Sequence, residues 1–425
     1  MKRTSNGSLR TLGTTLLVVL LLSSMSGCFG KASGSSAGSA AGGQDGPTFT
    51  VAAAGDILIH PQLTEQAMLD AKRHHVKGPY FGDIMAGVEP VISKADLAIC
   101  HLEPVLGTTN GPWSSYPNFL VPPQIATTIK DIGYDTCSTN SNHSLDGGYA
   151  GVKRTLDTLD KVGLKHTGSA RTKKEHDTPN IIDVKGVKVA QISFAFGYNA
   201  HEVPKDKPWL VNKTSLKAIK AAEKRARAAG AEVVILSIHW GREDWPNPSK
   251  SQLELGRQIA TQTGINLVIG HHAHVVQPME KVHGTWIAYG LGNQVARHDV
   301  PIGLTEEGVI GWFTFTKHHG KWDVKAQYVP TFVDLPPTQD VKGQNPDPGV
   351  TAAEDGTSGQ GTLVQPVRDH RLVDIARSLR ADKTQHTLTE QQRARYRLAF
   401  ERTRGTLLNR GAAKDGLTPL LDLPD

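Results

Sequence analysis

Cysteine and aromatic residues are scarce in this chain. Its 425 residues include three cysteines, and Phe, Trp and Tyr together make up 6% of them. No two cysteines have the CxxC spacing, so the sequence does not support a zinc ribbon or a thioredoxin-type site. Cys100 and Cys137 lie inside or at the end of apolar runs, and we interpret them as small buried hydrophobic residues. A disulfide between them would need an oxidising compartment and Cα atoms within about 7 Å.

The N-terminal segment lacks an apolar run long enough to span a bilayer comfortably. Basic residues precede the mostly apolar run 12–22, and small residues then lead to Cys28. This pattern predicts a secretory signal over residues 1–27 rather than a membrane helix. The ending resembles the lipobox of bacterial lipoproteins, in which the cysteine is acylated, although Met25 fits that pattern imperfectly. The alternative is a plain secretory signal in which Cys28 is incidental.

The chain also lacks a strong net charge. The formal charge of +6 becomes +3 when residues 1–27, with their three basic side chains, are removed. A value so near zero does not indicate a nucleic-acid partner. Residues 28–47 consist mainly of Gly, Ser and Ala, which predicts a flexible tether. We therefore expect an extracytoplasmic protein anchored to the cell membrane through Cys28, or a secreted one if that cysteine is not acylated.

Apolar runs alternate with amphipathic segments through most of the chain. The run 48–59 predicts a first strand, residues 151–162 and 216–229 predict helices, and residues 279–333 predict successive strands. This rhythm favours one α/β domain over residues 48–335, with a sheet covered by helices. The strands of its second half predict a second sheet packed on the first.

The composition changes after residue 335. Residues 336–362 are rich in Pro, Gly, Asp and Thr, which predicts a linker or long loop. Residues 363–425 predict a small C-terminal helical extension, with helices over 368–379 and 389–408, and Thr389 begins a capping box. Its basic excess is typical of a solvated surface, although a binder of anionic polymer is the alternative.

Residue types that bind metals follow five of the strand-like runs. They are Asp56, Glu103, the pair Asn142 and His143, His239, and the run 270–274 with its three histidines. Open α/β sheets place their ligands at the carboxyl ends of strands. Carboxylate, amide and imidazole groups without cysteine suit hard-to-borderline divalent ions held in pairs.

Each of these residues has a structural alternative. A strand-ending aspartate such as Asp56 more often caps a turn, and a histidine that ends an apolar run, such as His239, is more often a satisfied core residue. The histidines of the run 270–274 are harder to explain by packing, because alternate imidazoles of a loop can turn towards one cleft. The five features together therefore predict a metal site.

The order of six motifs resembles one known family. They are Gly-Asp, Leu-Glu-Pro, Asn-His, His-Trp-Gly-Arg-Glu, Gly-His-His-Ala-His-Val-Val-Gln-Pro and Tyr-Gly-Leu-Gly-Asn, and they extend over residues 49–333. The pattern is similar to the CapA family of bacterial poly-γ-glutamate capsule proteins, itself similar to calcineurin-like metallophosphoesterases. The resemblance implies a metallophosphatase-like four-layer α/β/β/α sandwich with two divalent metal ions, Mn, Fe or Zn, between the sheets.

The resemblance also implies roles for individual residues. His143 would be the catalytic proton donor, and the metal ligands would be Asp56, Glu103, Asn142, His239, His272 and His274. Two departures from the phosphoesterase pattern affect the first metal: Leu58 stands where a histidine is usual, and His101 stands where an asparagine is common. Further candidate residues are therefore His60, His101, His271, Glu243 and Asn293.

Three functions are compatible with these features. The first is a surface-anchored, metal-dependent hydrolase or transfer factor that acts on poly-γ-glutamate or another anionic cell-envelope polymer. The second is a non-catalytic accessory lipoprotein that binds the polymer or its membrane synthase. The third is a phosphoesterase with a phosphate-containing substrate and no role in the capsule.

Overall fold

The computed structural model describes residues 46–336 and 369–423. The predicted signal over 1–27 and its Cys28 lie outside these residues. So do nearly all of the predicted tether (28–47) and of the predicted linker (336–362).

Strands and helices alternate through the first part of the domain, as the sequence predicts. The elements in chain order are β1 (Thr48–Ile57), α1 (Pro61–Arg73), α2 (Gly82–Met85), α3 (Glu89–Ile92), β2 (Leu97–Leu102), β3 (Val105–Leu106), β4 (Leu120–Val121), α4 (Ile125–Asp131), β5 (Thr136–Ser138), α5 (Gly148–Lys161), β6 (Lys165–Thr167), α6 (Lys173–Asp177), β7 (Asn180–Val184), β8 (Val187–Ala195), α7 (Leu216–Ala228), β9 (Val233–His239), α8 (Lys250–Gln262) and β10 (Leu267–His271).

The second part is mainly strands, followed by two long helices. Its elements are β11 (Met279–Val282), β12 (Thr285–Ala288), β13 (Asn293–Val295), β14 (Glu307–His318), β15 (Lys321–Asp334), β16 (Arg371–Asp374), α9 (Ile375–Gln385), α10 (Glu390–Leu408), a 3-10 helix (Ala412–Asp415) and β17 (Thr418–Pro419).

β1 lies near the centre of the larger sheet, which has nine strands in the described residues. The main order is β16-β15-β14-β1-β2-β5-β6, while β13 pairs with β1 and β17 with β15. β1, β2, β5 and β6 are mutually parallel. The carboxyl ends of these strands therefore lie along one edge of the sheet.

The second sheet has the order β11-β12-β10-β9-β8-β7, and β8, β9 and β10 are parallel. One buried cluster joins residues of the two sheets, such as Ile99 of β2 and Ile235 of β9. A second cluster packs the outer face of the first sheet on α5 through Leu156, and a third packs the second sheet on α8 through Ile259. The four-layer α/β/β/α sandwich predicted from the sequence is confirmed.

The strands after residue 278 do not form the second sheet alone, which corrects the sequence-based expectation. β11 and β12 complete the second sheet, whereas β13, β14 and β15 return to the first. β14 pairs antiparallel with β1 from Thr48 to Ala53, and β13 pairs parallel with β1 at Asp56 and Ile57. Apolar patterning identifies such strands but does not specify which partner they pair with.

The C-terminal extension contains a strand before its helices. The sequence predicts a helix over 368–379, but β16 pairs with β15 there and α9 begins only at Ile375. Asp374 sets this boundary because its side chain accepts a hydrogen bond from the Arg377 amide at 2.9 Å. The predicted capping box of α10, between Thr389 and Gln392, is confirmed. Across the described residues, no helix combines the length and apolar character of a membrane span.

Cys100 and Cys137 are both buried, as expected, and they form a disulfide. They are direct partners in the register of β2 and β5, with Cα atoms 4.5 Å apart. The interpretation of two free buried thiols is therefore corrected. Strand register brings the cysteines together, and the sequence alone does not reveal it.

Candidate metal centre

The ends of five strands, three in the first sheet and two in the second, bring the ligand-type residues into one buried region between the sheets. Asp56 lies near the end of β1, Glu103 directly follows β2, and Asn142 follows β5. From the second sheet, His239 ends β9 and His271 ends β10. Four overlapping groups of three residues place their ligand atoms within 4.8 Å of one another. We call these four groups together the metal-ligand cluster. Two of them are the Asp56 group and the Glu103 group, and the other two both contain His274.

The Asp56 group consists of Asp56, His101 and His271. The Asp56 Oδ1 atom accepts a hydrogen bond from His271 Nδ1 at 2.8 Å, and its Oδ2 atom accepts one from the His272 amide at 2.9 Å. The His101 and His271 rings stack with centroids 3.9 Å apart. Asp56 is therefore held by direct hydrogen bonds from the loop that follows β10.

The Glu103 group consists of Glu103, His239 and His272, with Asn142 beside them. The Asn142 Oδ1 atom lies 2.9 Å from His239 Nε2, and Glu103 Oε1 lies 3.7 Å from the same nitrogen. The His239 Nδ1 atom lies 3.1 Å from Nε2 of His101, which links the two groups.

His274 lies between the two groups. Its Nδ1 atom is 3.4 Å from Asp56 Oδ2, and its Nε2 atom is 3.7 Å from Glu103 Oε1. His272 and His274 both have positive φ, 90° and 55°. This conformation is costly for residues other than glycine and is concentrated at functional sites. It occurs here in the loop that directs both imidazoles towards the carboxylates.

Asn293, which had no assigned role, positions His274. Its Oδ1 atom accepts a hydrogen bond from His274 Nδ1 at 2.9 Å, and its Nδ2 atom donates to the Thr305 carbonyl at 2.8 Å. β13 pairs with β1 so that Asn293 is opposite Asp56. With Nδ1 engaged in this way, Nε2 of His274 is the nitrogen directed at Glu103.

Burial and charge affect the two carboxylates in opposite directions. Burial raises the pKa of Asp56, but the hydrogen bond and charge of His271 outweigh it, so the pKa lies below its usual value. Burial, followed by the charge of Asp56, raises the pKa of Glu103 well above its usual value.

The imidazoles of the region favour the neutral state. Burial, followed by repulsion from neighbouring histidines, lowers the pKa of His101 and of His239 well below the usual value. The same two causes lower the pKa of His272 to about 3. Neutral imidazole is the form that binds metals, so these histidines are in the protonation state that a metal ligand requires.

Several buried polar atoms in this region have no hydrogen-bond partner, and they indicate whether a metal would fit there. Both carboxylate oxygens of Glu103, together with His271 Nε2 and His272 Nδ1, are buried without a hydrogen-bond partner. A buried carboxylate without partners is destabilising unless a cation compensates it. The donor set is made of oxygen and imidazole nitrogen, which suits divalent transition ions. The residues present therefore fit a metal.

His143 lies beside the cluster in a different arrangement. Its Nδ1 atom donates a hydrogen bond to Asp146 Oδ2 at 2.6 Å, and its ring packs edge-on against Phe119. Asp146 is fixed in turn, because it also accepts from the Phe119 amide at 2.7 Å. The carboxylate orients the imidazole and leaves Nε2 as the nitrogen that can exchange a proton with a substrate.

A cavity of about 560 Å³ opens next to these groups. His143, His274, His60, His298 and Glu243 lie along its wall, and Tyr116 lies at its exposed side. Glu243 is half-exposed and lies 3.9 Å from His272. A substrate in this cavity would therefore contact both the proposed donor and the edge of the metal-ligand cluster.

The structure distinguishes between the two histidines proposed to replace a missing ligand. His101 lies in the Asp56 group, opposite Asp56 in the register of β1 and β2. His60 belongs to none of the candidate groups among the described residues. Its Nδ1 atom lies 3.1 Å from the Leu58 carbonyl, and its ring contacts Phe119 and His298. His60 therefore belongs to the cavity wall.

Sequence reasoning missed three residues that shape this region: Asp146, Asn199 and His298. Asn199 Oδ1 accepts a hydrogen bond from Asn142 Nδ2 at 3.2 Å, and the His298 ring lies 5.3 Å from that of His274. A carboxylate three residues after His143 was a usable signal for Asp146. Asn199 and His298 come from distant loops, where no local pattern indicates a role.

Comparison with known proteins identifies relatives. Residues 50–298, more than half of the chain, match the family described as bacterial capsule synthesis protein PGA_cap. The PGA biosynthesis protein CapA of Bacillus subtilis strain 168 is 28% identical over 245 residues, which cover 51% of this chain and 62% of that protein. The capsule biosynthesis protein CapA of Bacillus anthracis is 30% identical over 173 residues, which cover 39% of this chain and 41% of that protein. The chain thus spans less than two thirds of either relative.

Among solved structures, the calcineurin-like phosphoesterase YfkN from Bacillus subtilis is similar over 66% of this chain and 91% of that chain, with 18% identity and a TM-score of 0.37. The family match extends from β1 to just past β13, and it includes every strand end that contributes to the cluster. The chain belongs to the PGA_cap family of bacterial capsule synthesis proteins.

Proposed function

We propose that this chain is a metal-dependent hydrolase that acts on an anionic capsule polymer, poly-γ-glutamate, outside the cytoplasm. The observation that carries the proposal is the buried Glu103 carboxylate, with two unpaired oxygens among neutral histidines. A purely structural role gives no reason to bury a carboxylate in this way, because leaving it unpaired costs about 1–3 kcal/mol or more.

Two divalent ions, Mn, Fe or Zn, would be held by the two groups. Asp56, His101 and His271 would hold one ion, and Asn142, His239 and His272 the other. Glu103, with its two oxygens, could contact both ions, whereas His274 would offer its Nε2 atom to one of them. Bound ions would supply Lewis-acid activation of the bond under attack.

His143 would donate a proton to the leaving group of the substrate. Its hydrogen bond to Asp146 fixes the orientation of the ring. The leaving group is an amine if the bond is an amide of the polymer and an alcohol if it is a phosphate ester. The names of the relatives, which refer to PGA and capsule synthesis, favour the polymer.

His143→Ala tests catalysis directly. The variant should keep its metal content and stability while hydrolysis slows by about 10²- to 10⁴-fold, the usual worth of a positioned acid. Poly-γ-glutamate, an aryl phosphodiester and a phosphomonoester are assayed in parallel with Mn²⁺. The matched control is His176→Ala, a histidine on α6 outside the cluster, which should keep wild-type rates.

The substrate whose hydrolysis slows in His143→Ala identifies the class of bond that the protein cleaves. If the wild-type protein is inert on all three substrates, and His143→Ala cells still display capsule, the catalytic proposal is wrong. A non-catalytic accessory role, in which the protein binds the polymer or its membrane synthase, then replaces it.

We also propose that the protein is anchored to the outer face of the cell membrane through acylated Cys28. The Cys100–Cys137 disulfide supports export, because disulfides persist in oxidising compartments. Cys28→Ser should move the protein from the membrane fraction to the soluble fraction, as judged by fractionation and immunoblotting. Unchanged membrane association in this variant would contradict the proposed anchor.

A further inference from the structure

We propose that α9 and α10 form a second binding site, separate from the metal-ligand cluster, which holds a polycarboxylate chain. A groove of about 630 Å³ lies between the two helices. Its lining combines basic side chains with apolar ones such as Leu379 and Phe400. The choice of a polycarboxylate polymer rests on the proposed function, whereas the anion-binding character of the groove does not.

The spacing of residues along each helix creates the groove. On α9, Ala376, Leu379, Arg380 and Lys383 follow one another at intervals of three, one and three residues, which places them on one face. On α10, the groove is lined by residues spaced four and three apart: Arg393, Arg397 and Phe400. Each helix thus turns a mixed basic and apolar face towards the other.

The basic residues of α10 differ in their partners according to the face they occupy. Towards the sheet, Arg395 and Arg402 both form ion pairs with Glu307 of β14. Tyr396 on the same side donates a hydrogen bond to Asp334 at 2.7 Å. These contacts fix the helix on the first sheet, so the groove has a rigid wall.

On the side of α9 and α10 that lines the groove, basic residues outnumber the acidic residues that pair with them. Arg393 pairs with Asp382 at 2.6 Å. Among the residues that the structure describes, Arg380, Lys383 and Arg397 form no ion pair, although the charge of Arg380 reaches the buried Asp374. The Nη1 atom of Arg380 is shielded from solvent without a hydrogen-bond partner. A shielded guanidinium donor is normally satisfied, so this atom indicates a missing acceptor.

The shape and lining of the groove favour a polymer chain over a membrane surface. The cationic groups lie along a concave surface that a flat lipid headgroup layer cannot enter. Leu379 and Phe400 offer apolar contact between the charges. A polycarboxylate with methylene groups between its acid groups has both parts, and each guanidinium can hold a carboxylate through paired hydrogen bonds.

The test measures binding of poly-γ-glutamate of defined length to the full mature chain by fluorescence anisotropy, with EDTA present so that metal-dependent binding is suppressed. The triple variant Arg380→Gln, Lys383→Gln, Arg397→Gln should weaken binding by about tenfold or more, and its affinity should depend less steeply on salt. Arg377→Gln is the control: it removes one positive charge from α9 outside the groove and should change affinity by less than about twofold.

Two outcomes would overturn the proposal. Wild-type affinity in the triple variant would show that the groove does not bind the polymer. Loss of binding to phosphatidylglycerol vesicles in that variant, with polymer binding unchanged, would assign the groove to a membrane surface. The assay measures binding in EDTA and not turnover, so failure of the groove and failure of the proposed catalysis are distinguishable.

Discussion

The Asp56 group and the Glu103 group have similar ligand types but differ in how the protein compensates their carboxylates. Asp56 accepts hydrogen bonds from His271 and from the His272 amide, whereas both oxygens of Glu103 have no partner. Both carboxylates are essentially buried. The protein alone therefore stabilises an ionised Asp56 and destabilises an ionised Glu103. The difference identifies Glu103 as the position where a bound cation has the larger effect on stability.

Replacing each of the two carboxylates by its amide should change the free energy of unfolding in opposite directions. In metal-free protein at pH 8, Asp56→Asn should lower the free energy of unfolding by about 2–4 kcal/mol, because charge-assisted hydrogen bonds are lost. Glu103→Gln should raise it by about 1–2 kcal/mol, because an uncompensated buried charge is removed. Urea denaturation in EDTA measures both values. A destabilisation of similar size in both variants would show that the two carboxylates are equivalent.

Lowering the pH should also change the free energy of unfolding, because it acts on the imidazoles around the two carboxylates. Burial lowers the pKa of His60 to about 4 and the pKa of His272 and His298 to about 3. Below pH 6.5 the unfolded chain therefore binds protons that these native histidines do not, and stability falls as pH falls towards the native pKa values. At pH 5 the loss should be on the order of 2 kcal/mol for each histidine that stays neutral.

The measurement compares the free energy of unfolding at pH 7 and pH 5 in EDTA. It uses the Glu103→Gln variant, because protonation of the native Glu103, whose pKa is raised, acts in the opposite direction. Adding His298→Asn to this variant should make the dependence on pH shallower. A stability that is equal at both pH values would mean that the histidines titrate normally in the folded protein.

The ends of strands were predictable from the sequence, whereas the contacts between them were not. Asp56, Glu103, Asn142, His239 and the run 270–274 each follow an apolar run, and the structure brings them together at one edge. The pairing of Asp56 with His101 depends on the register of β1 and β2, which shifts between Ala53 and Asp56. Such a shift has no signature in the apolar pattern.

The same limit applies to the disulfide and to the second sheet. Cys100 and Cys137 are partners because β2 and β5 are neighbours in that register. The apolar residues of β14 and β15 predict strands, but only the pairing of β14 with β1 shows that they belong to the first sheet. Local pattern predicted which elements form, and long-range pairing decided what they contact.

Binding of Mn²⁺ to the wild-type protein and to Glu103→Gln tests whether Glu103 holds a metal ion. Calorimetric titration and metal analysis should find two equivalents in wild type, and an ion concentration about 100-fold above Kd should stabilise the fold by about 2.7 kcal/mol. Glu103→Gln should lose at least one equivalent and most of that stabilisation. Glu280→Gln, which alters a glutamate paired with Arg410, should behave as wild type. Wild-type protein that binds no Mn²⁺, or a Glu103→Gln variant that binds two equivalents with unchanged affinity, would contradict the account.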